Sequence, residues 1–357
     1  MRIFQMVISL AFGDAVGNDL LALQTIIEKF ADETGIYAYH IDSRLPEGIA
    51  HKIDCLPELT PDDVVVYHLA GGTPMNEFFG SLPCKKIMRY HNITPPHFFH
   101  RYDDDIEQGC REGYEQLADL ANKVDYCLAV SEYNKIGLME MGFRCKIDVL
   151  PILVPFSDYD RIPSQKVIDK YTSDEYINIL FVGRIVPNKK QEDLIHILKV
   201  YQDNYKKRAR LILVGSAKDT DIYLCRLKKY IKELGLTDKD VIFPGHIGFD
   251  EILAFYKVAD VFLCESEHEG FCVPLIEAMY LGTPIIAYDA SAIKDTLGGA
   301  GILMDTKDPM LTAGMIDRLV NDDELRKNVL ANQKERLGDF TYEKIAAQFE
   351  ELLRENL

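Results

Sequence analysis

Residues 259–282 read ADVFLCESEHEGFCVPLIEAMYLG. Val261 to Cys264 form an apolar run of strand length. A polar turn follows and ends on Glu269 and Gly270. Pro274 suits the first turn of a helix, and Gly282 closes that helix before Thr283-Pro284. Strand, turn and helix in this order are the repeating unit of an α/β fold, and the rest of the chain repeats it.

Outward from this stretch lie INILFVGR (177–184), ARLILVGS (209–216), DVIFPG (240–245) and TPIIAYD (283–289). Helical periods separate them, among them QEDLIHILKVYQDN and DIYLCRLKKYIKELGL, the latter stopping at Gly235. A second series precedes it: IFQMVISL, IYAYHI, DVVVYHLA, KKIMRYHN, DYCLAVS and KIDVLPIL. Between its first strands, NDLLALQTIIEKFAD puts Leu20, Leu21, Leu23, Ile26, Ile27 and Phe30 on one broad face. Strands apolar on both sides belong to parallel sheets covered by helices.

The segment PILVPFSDYDRIPSQKVIDKYTSDEY (151–176) breaks the rhythm with three prolines and reads as a linker. The expected architecture is therefore α/β, with two Rossmann-like domains facing a cleft. Residues 1–157 form the first domain, joined by a C-terminal helix over 340–357 that returns to it, and residues 158–339 form the second.

A length of 357 residues suits two domains, and 47% apolar with 27% charged residues is ordinary for a globular chain. No apolar run approaches the ~20 residues of a membrane-spanning helix. The N-terminus MRIFQMVISLAFGDAVG mimics a leader, but its apolar run is short and ends in Gly13-Asp14, so it reads as a first strand of a cytoplasmic protein. A net charge of −17 excludes a broad nucleic-acid face. The cluster Lys85, Lys86 and Arg89 is the basic spot suited to peripheral contact with an anionic membrane. Eight scattered cysteines without a C-x-x-C pair read as reduced thiols. His97 and His100 lack the companions of a metal site, and Asp103-Asp104-Asp105 reads as a solvated acidic loop.

The unusual residues fall after strands, where open parallel sheets bind ligands. In FGDAVGNDLL, Gly13 and Gly17 flank a short loop, and Asn18 or Asp19 is placed to cap the next helix; the spacing is neither G-x-G-x-x-G nor a P-loop. In RIVPNKKQEDL, Arg184 ends a strand and Lys189 and Lys190 precede a helix. Cations at a helix N-terminus oppose its partial positive charge, and a phosphate between them resolves the conflict. In the opening stretch, Glu269 on the turn and Glu277 about one helical turn into the helix are acceptors suited to sugar hydroxyls. The amides of Gly270, Phe271 and Cys272 between them suit a diphosphate.

E-G-F-x-x-P-x-x-E-A-M-x-x-G-x-P-I-I, preceded by F-V-G-R-x-x-x-x-K, resembles the family 4 retaining glycosyltransferases of the GT-B fold. VIFPGHI, YKVADVFLCES and AVSEYNK extend the similarity over nearly the whole chain. GDAVGND and RYHNITPP are similar to members that build bacterial surface polysaccharides.

The resemblance implies a hexosyl transfer from a UDP- or GDP-linked sugar to a saccharide or lipid-linked saccharide, with no metal and no cofactor beyond the donor. It implies that Arg184 and Lys189 hold the diphosphate, Glu269 the sugar and Glu277 the ribose. His246 would lie near the base, Gly13 and Gly17 at the donor–acceptor contact, and His91 beside the reacting carbon. Arg184, Lys189, Glu269 and His91 are thus the expected catalytic set. Many members have Lys-Gly where this chain has Lys189-Lys190, which leaves Lys190 as the alternative phosphate ligand. The usual Asn-Gly-Val-Asp after the linker strand is replaced by LVPFSDYD, so acceptor contacts do not carry over. PPHFFHRY (95–102) is a candidate acceptor-facing or membrane-facing stretch, with an ordinary buried loop as the equal alternative.

A dinucleotide oxidoreductase is disfavoured by the glycine spacing. A non-catalytic scaffold would not need the set Arg184, Lys189, Glu269 and Glu277. A nucleotide-sugar hydrolase or epimerase would release nucleotide without an acceptor.

Overall fold

Every strand pairing among the described residues is parallel. The structure is a computed structural model and describes residues 1–217, 222–245 and 247–357. One sheet contains β1 (Arg2–Leu10), β2 (Glu33–Ile41), β3 (His51–Lys52), β4 (Val64–Leu69), β5 (Lys85–Tyr90), β6 (Tyr126–Ala129) and β7 (Lys146–Val149). Their order is β3-β2-β1-β4-β5-β6-β7. The other contains β8 (Ile177–Val182), β9 (Ala209–Val214), β10 (Val241–Gly245), β11 (Val261–Cys264), β12 (Ile285–Tyr288) and β13 (Ile302–Met304), in the order β10-β9-β8-β11-β12-β13.

The strands read from the sequence are all present. β4, β9 and β11 are buried at every residue, as strands covered by helices on both faces must be. In each sheet the order reverses beside the first strand. The chain leaves β1 toward β2 and β3, then returns to β4 on its other side, and it treats β8 and β11 in the same way. Loops after β1 and β4, and after β8 and β11, therefore diverge and leave a crevice at the strand C-termini of each sheet.

The chain divides into two units. Met1–His97, Asp105–Pro155 and Asp339–Leu357 form the first; Phe98–Asp104 and Phe156–Gly338 form the second. The last helix, Tyr342–Asn356, is part of the first unit. It is pinned there by Tyr342 Oη against Thr25 Oγ1 at 2.9 Å and by Gln348 Nε2 donating to the Val149 carbonyl at 2.9 Å.

Several local readings differ. The first helix runs Ala15–Ile27 and its cap is Asp14, which accepts from the Gly17 amide, so neither Asn18 nor Asp19 caps it. Asp19 is instead fully buried within that helix. Asp104 and Asp105 open the helix Asp104–Leu120 rather than lying in a loop; acids are favoured at a helix start. The linker contains a helix, Gln165–Thr172, which buries Val167 and Tyr171.

The aromatic stretch at 95–102 buries Phe99 and exposes His97, His100 and Arg101. From Phe98 onward it belongs to the second unit, where Tyr102 meets Tyr223 edge-on at 5.3 Å and accepts from Arg226 at 2.8 Å. The basic cluster dissolves as well. Arg89 is fully buried, and the Lys86 ammonium donates to the carbonyls of Leu82 and Cys84. A charge run in sequence does not report which members face inward. No helix among the described residues is long and apolar enough to cross a membrane.

Candidate functional site

In the second unit the loops after β8 and β11 flank the point where strand order reverses. Gly183 and Gly215 end β8 and β9 side by side, and a Cβ on Gly215 would lie 1.9 Å from the Gly183 carbonyl oxygen. Only glycine permits that approach, which lets the chain turn out of the sheet toward Arg184. The two loops are stitched together by Asn188. Its side-chain amide donates to the His268 carbonyl at 2.9 Å, and its own carbonyl accepts from the Glu267 amide at 2.9 Å.

This stitching brings Lys189 Nζ to 2.5 Å from Glu269 Oε2. Burial works against the Lys189 charge, but Glu269 beside it wins and holds the ammonium above its ordinary pKa. Glu269 is 7% exposed. Its backbone amide donates to Ser291 Oγ at 2.7 Å, so a residue from the loop after β12 fixes the turn. Cys264 and Cys272 place their thiols with the Glu269 carboxylate within 4.8 Å, a grouping able to hold a metal, but Lys189 already occupies that carboxylate.

Lys190 turns elsewhere, toward Glu267 at 3.3 Å and Glu192 at 3.9 Å. The charge conflict raised by two lysines before a helix is thus met by the protein's own carboxylates. Lys190 has φ 53° and ψ 45°, the left-handed region where glycine is at ease. Arg184 is exposed and has no side-chain partner among the described residues. Replacing Lys190 by glycine should leave nucleoside diphosphate affinity within about threefold. Lys189→Met should lower it at least about tenfold by removing one charge-assisted hydrogen bond. Calorimetric titration of the two variants checks this.

Cys272 precedes the helix Val273–Leu281 with φ 70°, and no acid stands in that helix's first turn to neutralise its positive end. Of the six left-handed non-glycine residues among those described, Lys190, Cys272 and Ser291 lie on loops that leave strand C-termini of the second sheet. Strain collected at loops of one edge marks a site.

Glu277 accepts from Tyr159 Oη and Tyr256 Oη, each at 2.7 Å, one on each carboxylate oxygen. Burial pushes its carboxyl up, and the two hydroxyls oppose the shift. Neither tyrosine, nor Asn188, nor Ser291, carried a sequence signal, because their partners lie tens of residues away. Gly270, Phe271 and Cys272 link Glu269 to the helix. His246 lies outside the described residues.

Glu265, directly after β11, is 1% exposed, and its Oε1 has no partner among the described residues. Burial raises its carboxyl from 4.5 to about 7, with Lys307 opposing and Asp193 adding to the shift. The folded chain keeps this proton to about pH 7, whereas the unfolded chain loses it near 4.5. Its contribution to stability is therefore full below about 4.5 and is lost as the pH rises through about 7. Glu265→Gln should abolish that slope and stabilise the protein at pH 8 by on the order of 3 kcal/mol, measurable by urea unfolding at pH 5 and pH 8.

In the first unit Gly13 has φ 74° in open space, while Gly17 is packed so that a Cβ would sit 3.0 Å from the Ala11 carbonyl oxygen. His91, directly after β5, is 9% exposed and stacks on His68 with ring centroids 5.2 Å apart. A cavity of about 900 Å³ also lies in this unit, bounded by Ile8, Ile53, Leu56, Leu59 and Phe78. Its apolar wall and the acids Asp54 and Glu58 do not suit a nucleoside diphosphate.

The two parallel-sheet units have the GT-B fold. Residues 164–336 match the family model described as glycosyl transferases group 1. The chain is similar to bacterial surface-polysaccharide enzymes. The serotype-specific mannosyltransferase WbdA of Escherichia coli is 24% identical over 269 residues, 73% of this chain and 32% of that protein. The O-antigen chain mannosyltransferase B of Escherichia coli is 25% identical over 239 residues, 66% of this chain and 61% of that one. The chain thus spans about a third of the length of WbdA. HepE of Anabaena, solved with UDP and glucose, shares the fold with a TM-score of 0.73 at 18% identity, over 99% of this chain and all of that one.

Proposed function

We propose that this chain is a retaining, metal-independent glycosyltransferase of family 4 that moves a hexose from a UDP- or GDP-linked sugar to a hydroxyl of a saccharide or lipid-linked saccharide, and that it works in the cytoplasm. The observation that carries the reading is the Lys189–Glu269 pair at the crevice of the second sheet. Without ligand the two groups neutralise each other. With a donor, the ammonium turns to the diphosphate and the carboxylate accepts from a sugar hydroxyl, so neither charge is left buried and unpaired.

Breaking the bond between sugar and diphosphate places negative charge on the departing phosphate. Lys189, Arg184 and the N-terminus of Val273–Leu281 supply fixed positive potential for it, and the Lys189 ammonium stays charged through neutral pH. Glu269 holds the sugar, and Glu277, already oriented by two tyrosines, accepts from the ribose. Retention follows from attack on the face the diphosphate leaves, with the departing phosphate taking the acceptor's proton. WbdA and the O-antigen enzyme, named as mannosyltransferases, and HepE, solved with UDP and glucose, support a sugar-nucleotide chemistry of this kind.

Calorimetric titration with UDP, GDP, ADP and dTDP, each with and without EDTA, tests the reading. Binding of UDP or GDP that EDTA does not alter is the expected result. Binding by none of the four would remove the donor site and favour a scaffold protein.

A further inference from the structure

A row of polar side chains crosses the core of the first unit on three adjacent strands. Gln5 stands on β1 and His68 on β4, and His91 follows β5; none is more than 9% exposed. The proton on each nitrogen in this row can be assigned from one end. The Leu20 carbonyl only accepts, so the Gln5 atom 3.1 Å from it is the amide nitrogen, whose second proton goes to Gln24 Oε1 at 2.9 Å. The other end of that amide is therefore the carbonyl oxygen. It lies 2.9 Å from His68 Nε2, which must carry a proton to donate.

The surroundings keep His68 neutral. Burial, His91 and Arg89 all oppose its charge and outweigh Asp19. A neutral ring protonated on Nε2 has a bare Nδ1. That Nδ1 is 3.0 Å from His91 Nε2, so His91 must supply the proton between them. His91 is kept neutral by burial and by Arg89. Its last nitrogen, Nδ1, is consequently a lone pair. It is buried and has no hydrogen-bond partner among the described residues.

We propose that Gln5 and His68 are positioning residues that lock His91 in its Nε2-protonated form, so that Nδ1 is a fixed acceptor for a hydroxyl of a bound saccharide. The relay refuses anions, because a phosphate or carboxylate oxygen has no proton to offer a lone pair. The saccharide rests on the proposed transferase activity, but the tautomer does not.

The alternative occupant of this place is a metal, since ligand atoms of Asp19, His68 and His91 lie within 4.8 Å of one another. Two features oppose it. The facing nitrogens of the two histidines are spent on each other. Both Asp19 oxygens accept from Arg89, at 2.9 and 3.2 Å, and one also accepts from the Leu153 amide at 2.8 Å. A guanidinium in that position repels a cation.

The test is a long-range proton–nitrogen correlation spectrum of histidine-labelled protein between pH 5.5 and 8. His68 and His91 should both appear neutral and protonated on Nε2 throughout. In Gln5→Leu, which removes the acceptor that sets the register, His91 should become a mixture of tautomers. Observation of wild-type His91 protonated on Nδ1, or charged at pH 6, overturns the relay without recourse to any variant. With donor and acceptor supplied, His68→Phe should lower kcat about tenfold with the KM for donor unchanged, one hydrogen bond's worth of orientation. A fall in donor affinity instead would make His68 a structural residue. Intact tautomers in a protein that turns over no sugar would uphold the relay and reject only the saccharide.

Discussion

A Glu269→Gln variant is expected to lose sugar transfer by about 10²- to 10³-fold while binding the nucleotide as tightly as wild type. Glutamine keeps the shape and offers Lys189 a carbonyl oxygen in place of the carboxylate, so the turn fixed by Ser291 is undisturbed. What is lost is a charged acceptor at the sugar end of the donor, where orientation relative to the breaking bond matters most. Rates with saturating donor, set beside nucleotide affinity from calorimetry, separate the two effects. A parallel fall in affinity would show that Glu269 serves the nucleotide rather than the sugar. Glu277→Ala should behave in the opposite sense and weaken nucleotide binding itself.

The second large effect concerns stability. Arg89→Met should destabilise the first unit by about 3–5 kcal/mol, the usual cost of leaving one member of a buried ion pair without its partner. Arg89 Nε and Nη2 donate to the two Asp19 oxygens, and Nη1 and Nη2 also donate to the carbonyls of Leu150 and Pro151. Both side chains of the pair are fully inaccessible to water. Methionine fills much of the volume but leaves the Asp19 carboxylate with the Leu153 amide and a neutral histidine. Hydrogen exchange resolves the effect by sheet: protection in β1, β4 and β5 should fall, while β8, β9 and β11 keep theirs. A change of less than about 1 kcal/mol in the first sheet would mean that the buried pair adds little to its stability.

Arg89 also shows where sequence stops informing. Beside Lys85 and Lys86 it reads as part of a basic surface, because composition records charge and not direction. Its partner is 70 residues away in the chain, on the face of a helix that looked suitable only for capping. His68 carries no sequence signal for the same reason. It ends an apolar strand, and neither Gln5 nor His91 is near it in sequence.

The strands were legible because parallel sheets demand uninterrupted apolar runs, and the turns were legible because glycine and proline punctuate them. The loop after β11 was informative since strand, acid, glycine and helix are consecutive there. The same local logic failed at Lys189-Lys190. Two cations before a helix imply an anion, but which anion depends on chain segments that only folding brings together. Glu267 and Glu269 supply it in this structure.

The most direct test of the account is release of nucleoside diphosphate from the hexose-linked form of whichever nucleotide binds, measured in EDTA for wild type and Glu269→Gln. The account predicts acceptor-stimulated release by wild type, insensitive to the chelator, and release by the variant reduced by about 10²-fold or more. Equal rates in the two proteins, or release abolished by EDTA, would contradict it.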